Sequence, residues 1–169
     1  MHDDLEYLAS RVGDCLQRAG LRLATAESCT GGWIAKCITD VAGSSAWLDR
    51  GFVTYSNAAK QEMLGVAEAT LAAWGAVSEA VVAEMAGGAI AHSQASIAVA
   101  VSGIAGPGGG TATKPVGTLC FGWALPEGIA VETRYFAGDR EQVRRQAVAH
   151  ALRGLLERCA ARHRPTEIA

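Results

Sequence analysis

The chain has 169 residues, half of them hydrophobic and 19% charged, with a formal net charge of -2. That length suits one domain and can bury a core without disulfides or metals. The charge offers no basic excess to neutralise many phosphates, so nucleic acid is excluded as the expected partner.

In chain order, residues 3–19 read as an amphipathic helix with Leu5, Leu8, Val12, Cys15 and Leu16 on one side, ended by Gly20. Residues 21–26 read as a buried strand, 27–32 as a turn, and 33–39 as a helix, which puts Ser28 at a strand-to-helix corner. Gly43-Ser-Ser is a loop, and residues 46–55 read as a second strand. Ser56 or Asn57 can cap a helix running to about Leu64. A short helix over 68–74 stops at Gly75, and Ser78 caps another to about Ala91. Residues 96–102 are nearly all apolar, which predicts a central strand. A glycine-rich loop over 103–110 follows, then strands over 116–125 and 129–136 joined as a hairpin by Pro126-Glu-Gly. Asp139 caps the last helix, with Gln142 at the capping-box position, and the helix runs to about Cys159. This alternation predicts an α/β fold, a three-layer α/β/α sandwich with a mixed, mostly parallel sheet of about five strands, one of them antiparallel. Residues 1–160 are expected to form a single domain and 161–169 a flexible tail.

Five cysteines, Cys15, Cys29, Cys37, Cys120 and Cys159, form an odd, scattered set without CxxC spacing. They argue against a disulfide framework and for a reducing compartment. No zinc pattern joins them to His2, His92, His150 or His163. The N-terminus lacks the apolar core of a secretion signal. The longest apolar stretch, residues 95–105, is interrupted by Ser96, Ser102 and Gly103 and is too short to cross a bilayer. A cytoplasmic protein with no membrane partner is expected.

Ser28 is the first chemical candidate. Backbone N–H groups at such a corner are unpaired and can bind an oxyanion or phosphate. Gly31 and Gly32 let a ligand approach the backbone. The alternative is that Ser28 or Thr30 is only a helix cap. A nucleophilic serine needs a base, and the histidines read as surface, helix-end or tail residues. Lys60 is the better candidate, because it follows the second strand by a turn of helix and Tyr55 sits at that strand's end. An ordinary lysine, with a pKa of about 10.4, is neutral roughly once in 2,500 molecules at pH 7. Lys60 must therefore be depressed by burial or a positive neighbour to act as a base. Otherwise it is an electrostatic partner and Tyr55 relays the proton. Cys29 is a rival nucleophile, ranked lower because one of two adjacent side chains usually faces the core.

Ser102 and the loop 103–110 form a third element. It is neither a Walker loop nor a dinucleotide fingerprint, so it is either a flexible turn or a backbone that closes over a ligand. Arg140, Arg144 and Arg145 open the last helix. Arg140 and Arg144 share one face, as an anion clamp or a solvated basic surface.

Taken together these segments resemble a known family. Ala26-Glu-Ser-Cys-Thr-Gly-Gly, Gly51-Phe-Val-Thr-Tyr-Ser-Asn-Ala-Ala-Lys, Gly75-Ala-Val-Ser, Ser102-Gly-Ile-Ala-Gly-Pro, Lys114-Pro-Val-Gly-Thr and Phe136-Ala-Gly-Asp-Arg occur in family order over residues 5–158. The chain resembles the nicotinamide-nucleotide amidohydrolases, stand-alone relatives of the C-terminal domain of the competence/damage-inducible protein CinA. The resemblance implies hydrolysis of the carboxamide of nicotinamide mononucleotide to nicotinate mononucleotide and ammonia, in pyridine nucleotide salvage. It implies a Ser28 nucleophile with Lys60 and Tyr55 as activating partners, and no metal or organic cofactor. Ser102 is expected to line the site, and Arg140 and Arg144 to hold the phosphate. The oxyanion donors are expected from Thr30, Gly31 and Gly32 or around Gly103, with Gly106 also touching the small-molecule nucleotide substrate. A homodimer is implied. The segments match only the C-terminal domain of full-length CinA proteins, so the pyrophosphatase activity of their larger N-terminal domain is not carried over. Two other classes compete: a non-catalytic nucleotide-binding module, and a nucleotide phosphatase, which would want clustered carboxylates for a metal.

Overall fold

The structure is a computed structural model that describes residues 4–162; the first three residues and 163–169, most of the expected tail, lie outside the described residues. Helix α1, Leu5–Ala19, is capped by the Asp4 carboxylate and ended by Gly20 at φ 64°. It buries Leu5, Leu8, Val12 and Leu16. Then come β1 (Leu23–Glu27), α2 (Trp33–Thr39), a single 3₁₀ turn (Ser44–Ala46) and β2 (Leu48–Val53). Three helices follow: α3 (Asn57–Leu64), α4 (Glu68–Trp74) and α5 (Glu79–Ala91). The chain closes with β3 (Ile97–Gly103), β4 (Thr118–Leu125), β5 (Gly128–Tyr135) and α6 (Arg140–Ala161). Asp139 and Gln142 form the expected capping box, and α6 continues two residues past Cys159, so Arg162 is its C-cap rather than free tail. No helix among the described residues is long and apolar enough to cross a membrane.

The sheet order is β2-β1-β3-β4-β5. β1 pairs in parallel with β2 and β3, while β4 runs antiparallel to both β3 and β5. β4 is thus the one reversed strand, as the hairpin requires, and the nearly all-apolar β3 is central. Large side chains cover one face of the sheet. Leu23, Ile97, Val99, Val101, Phe121 and Trp123 pack under α1, α2 and α6. The opposite face is small: Ala24, Ala26, Ala98, Ala100 and Ala124 lie under α3, α4 and α5. A Cβ on Gly122 would stand 2.6 Å from the Val82 carbonyl oxygen of α5, and one on Gly88 would strike the Leu64 carbonyl at the end of α3. Bare backbone at both points lets α5 sit close to the sheet and α3 close to α5. That double approach brings the first turns of α3 down to the carboxyl end of β1.

Candidate active site

β1 is buried over its whole length and ends at Glu27, after which the Ser28 amide donates to the Val101 carbonyl at 3.0 Å. Strand alternation places Glu27 on the α2 side of the sheet and Ser28 on the α3–α5 side. On its side, the Glu27 carboxylate accepts from the Thr30 hydroxyl at 2.7 Å and from the amides of Ile34 and Ala35 at 2.8 and 3.1 Å. These amides belong to the first turn of α2, so Glu27 does the work of its cap. Gly32, the formal N-cap at φ 96°, contributes no side-chain bond. Neither Ser28 nor Thr30 caps the helix, which removes the capping alternative for Ser28. Burial pushes the Glu27 carboxyl up, and its hydroxyl and amide donors hold it back.

Ser28 faces Lys60 instead. Lys60 sits in α3, behind the Ser56 cap, and is 1% exposed. Its ammonium nitrogen lies 2.9 Å from Ser28 Oγ, 2.9 Å from the Thr54 carbonyl and 3.3 Å from the Tyr55 carbonyl. No carboxylate stands among these partners, and burial lowers the Lys60 pKa below the ordinary lysine value. The carbonyls can only accept. In a neutral amine they take its two N–H bonds, leaving the nitrogen lone pair for the Ser28 hydroxyl proton. In an ammonium all three partners are acceptors, and the Ser28 hydroxyl can turn to the Tyr55 carbonyl at 3.5 Å. Both protonation states are therefore satisfied without moving a heavy atom. The Ser28–Lys60 separation is one over which a proton can pass directly.

The remaining candidates divide. Ser28, Lys60, Ser102, Gly103, Arg140 and Tyr55 border a common cavity of about 190 Å³ at the carboxyl ends of β1 and β3. Tyr55 is 63% exposed, and its phenol accepts from Arg140 Nη2 at 3.3 Å. Its backbone carbonyl, not its hydroxyl, is what meets Lys60 and Ser28. The extended chain ahead of α3 turns that carbonyl inward and the ring outward. Arg140 also donates to the Gly106 carbonyl at 2.7 Å, so Gly106 positions the arginine. Arg144 donates from Nε to the Cys29 carbonyl at 3.0 Å and from Nη2 to the Thr30 carbonyl at 3.2 Å, with its guanidinium 5.5 Å above the Trp33 ring. It braces the turn that carries Ser28. Thr30, Gly31 and Gly32 build that turn: the Gly31 amide donates to the Ser28 carbonyl at 3.0 Å. Cys29 is buried on the α2 side and desolvation pushes its thiol up to about 12, so it stays protonated at neutral pH.

Sequence reasoning missed Glu27 and the Thr54 carbonyl. Glu27 did leave a signal, since a carboxylate directly after a buried apolar strand must find donors or be expelled. The Thr54 carbonyl left none, because every residue has one.

The family model for the CinA C-terminal domain matches residues 5–159. The chain belongs to the CinA C-terminal domain family. A family relative from Escherichia coli (strain K12), named nicotinamide-nucleotide amidohydrolase PncC, is 58% identical over 153 residues, 90% of this chain and 93% of its own. A relative of the same name from Pseudomonas putida is 54% identical over 155 residues, 92% of this chain and 97% of its own. Among solved CinA-type structures, a competence/damage inducible protein from Agrobacterium tumefaciens superposes with a TM-score of 0.88 at 47% identity, covering 93% of this chain and 96% of that one.

Proposed function

We propose that the chain is a nicotinamide-nucleotide amidohydrolase that hydrolyses the carboxamide of nicotinamide mononucleotide to nicotinate mononucleotide and ammonia. The observation that carries the reading is the buried Lys60 amine 2.9 Å from Ser28 Oγ with no carboxylate to hold its proton. The names of the relatives supply the substrate.

In this mechanism neutral Lys60 takes the Ser28 proton as Oγ attacks the amide carbon. The Thr54 and Tyr55 carbonyls then accept from the new ammonium, a role that needs the backbone of Tyr55 and not its phenol. The Gly31 amide is consumed within the turn. We assign the oxyanion to backbone amides of the Ser28 corner or around Gly103, at the edge of the same cavity. Collapse of the tetrahedral intermediate returns the Lys60 proton to the leaving ammonia. Water, deprotonated by the same amine, hydrolyses the acyl-enzyme and frees Ser28. Ser102, Gly103 and Arg140 contact the substrate, while Thr30 to Gly32 and Arg144 shape the corner.

The assay is ammonia release from nicotinamide mononucleotide by wild type and Ser28→Ala. Equal rates would sink the serine mechanism and favour a non-catalytic nucleotide-binding module. A reducing, cytoplasmic setting suits five free cysteines. A homodimer suits the edge strand β5, whose Ile129, Val131 and Tyr135 are 47%, 37% and 63% exposed. Light scattering that shows a monomer at micromolar concentration would remove the dimer.

A further inference from the structure

Two segments of the family resemblance, Gly75-Ala-Val-Ser and Lys114-Pro-Val-Gly-Thr, have no part in the Ser28 chemistry. The fold brings them together. The Lys114 ammonium donates to the Trp74 carbonyl at 2.8 Å, tying the loop between β3 and β4 to the end of α4. There a cavity of about 470 Å³ is bordered by Trp74, Val77, Glu79, Lys114, Cys120 and Thr133. It adjoins the Ser28 cavity, because Val77 lines both. In addition Ser102, in the smaller cavity, is the strand partner of Cys120 in the larger. Such partners project from the same sheet face about 5 Å apart. The two cavities are therefore neighbours on one sheet face, across the β3–β4 pair.

Size decides what each lobe can hold. The smaller lobe, about 190 Å³, falls below the roughly 300–1,000 Å³ of pockets that enclose drug-sized ligands, and the larger, about 470 Å³, falls within it. A nucleotide whose carboxamide reaches Ser28 must therefore extend beyond the smaller lobe. The larger one is lined to receive the rest. Trp74 is 64% exposed there, an aromatic surface that the core leaves uncovered. Lys114 is held by one N–H and keeps the others for an anion. Glu79 accepts from the Thr133 hydroxyl at 3.0 Å, and a carboxylate so placed is the kind of acceptor that binds ribose hydroxyls. Arg144 already donates to the Cys29 and Thr30 carbonyls, and Arg140 to the Gly106 carbonyl and the Tyr55 hydroxyl, each keeping further N–H groups.

We infer that the larger lobe is the sugar–phosphate subsite, with the ribose between Trp74 and Glu79 and the 5′-phosphate on Lys114. This rests on the nucleotide amidase reading above. Binding in a catalytically silent background tests it separately from turnover. Nicotinamide mononucleotide, and nicotinamide riboside, which lacks only the phosphate, are titrated calorimetrically into Ser28→Ala. The same titrations are run on Ser28→Ala carrying Lys114→Met, Lys114→Arg or Arg140→Ala. Lys114→Met is expected to weaken nucleotide binding about tenfold or more, the worth of a charge-assisted hydrogen bond, and to leave the riboside within about twofold. Lys114→Arg, which keeps the charge, should restore the preference for the nucleotide. An undiminished preference in Lys114→Met, its loss in Arg140→Ala alone, or no binding of either ligand overturns the inference. Failure of wild type to release ammonia overturns the amidase reading instead, and leaves the titrations to decide the lobe.

Discussion

Two buried ionisable side chains stand back to back at the carboxyl end of β1, Glu27 on the α2 face and Lys60 against Ser28 on the α3–α5 face. Desolvation drives both toward neutrality, raising the carboxyl and lowering the amine. Their partners set them apart. Glu27 is met by a hydroxyl and by amides of the α2 turn, all of them donors. Lys60 is met by two carbonyls and one hydroxyl, a set that suits the amine before and after it takes a proton. In the proposed mechanism the group held by fixed donors is structural, and the amine whose partners tolerate both of its states is the reactive one.

The largest expected effects break the reactive side of this comparison. Ser28→Ala should lower amidase turnover on the order of 10³-fold or more without unfolding the protein, as ammonia assay and circular dichroism would show. Lys60→Met should cost a comparable factor. Lys60→Arg should not rescue it, since a guanidinium cannot deprotonate to act as the base. A Lys60→Met variant with near-wild-type turnover would end the Ser–Lys assignment.

Next in size is the pH dependence. In the proposed mechanism the base Lys60 must be neutral, so kcat/KM should rise with pH along a limb that lies below the usual lysine range. Stability carries matching signs. The lowered Lys60 pKa means the unfolded chain binds that proton more tightly. Its contribution to stability therefore rises with pH between the lowered and ordinary lysine values. Glu27 is raised, so its contribution is full below the ordinary carboxyl value and is lost as pH rises through the raised one. Denaturant titrations across pH should lose the first dependence in Lys60→Met and the second in Glu27→Gln.

On the structural side, Glu27→Ala strands the Ile34 and Ala35 amides and the Thr30 hydroxyl. It should cost about 2–4 kcal/mol by chemical denaturation. Lys60→Met relieves a buried amine but strands the Thr54 carbonyl, so it should cost less stability than Glu27→Ala. If Lys60→Met proved the more damaging of the two to stability, the division into structural and reactive groups would be wrong.

The smallest effects sharpen the picture around Ser28. Tyr55→Phe removes a hydroxyl that meets Arg140 and keeps the carbonyl that meets Lys60, so turnover should fall by at most about tenfold. A loss as deep as that of Lys60→Met would return the proton relay to the phenol. Cys29→Ala, replacing a protonated buried thiol, should leave turnover within about threefold.

Legibility in the sequence followed the range of the forces involved. Helices α4 and α5 are bounded by residues whose effect is local, such as the Gly75 stop and the Ser78 cap, and their limits match the sequence reading. Strands shift by a residue or two, because a ladder ends where its neighbour ends. β2, read over 46–55, pairs only over Leu48–Val53 opposite the short β1. The spacing of Arg144 from Arg140 is local and legible, whereas the carbonyls Arg144 donates to are more than a hundred residues away in the chain.

By itself the sequence determined the order of elements, the corner at Ser28, the reversed hairpin strand and the choice of lysine over histidine as partner. Periodicity, caps and turns act over a few residues, so they are written locally. Only the tertiary structure decided that Glu27 rather than Ser28 caps α2, that Tyr55 offers its carbonyl to the site, and that Lys60 lies 2.9 Å from Ser28. Those outcomes depend on how closely α3 and α5 approach the sheet across Gly88 and Gly122, and packing between distant segments is not carried by any one of them.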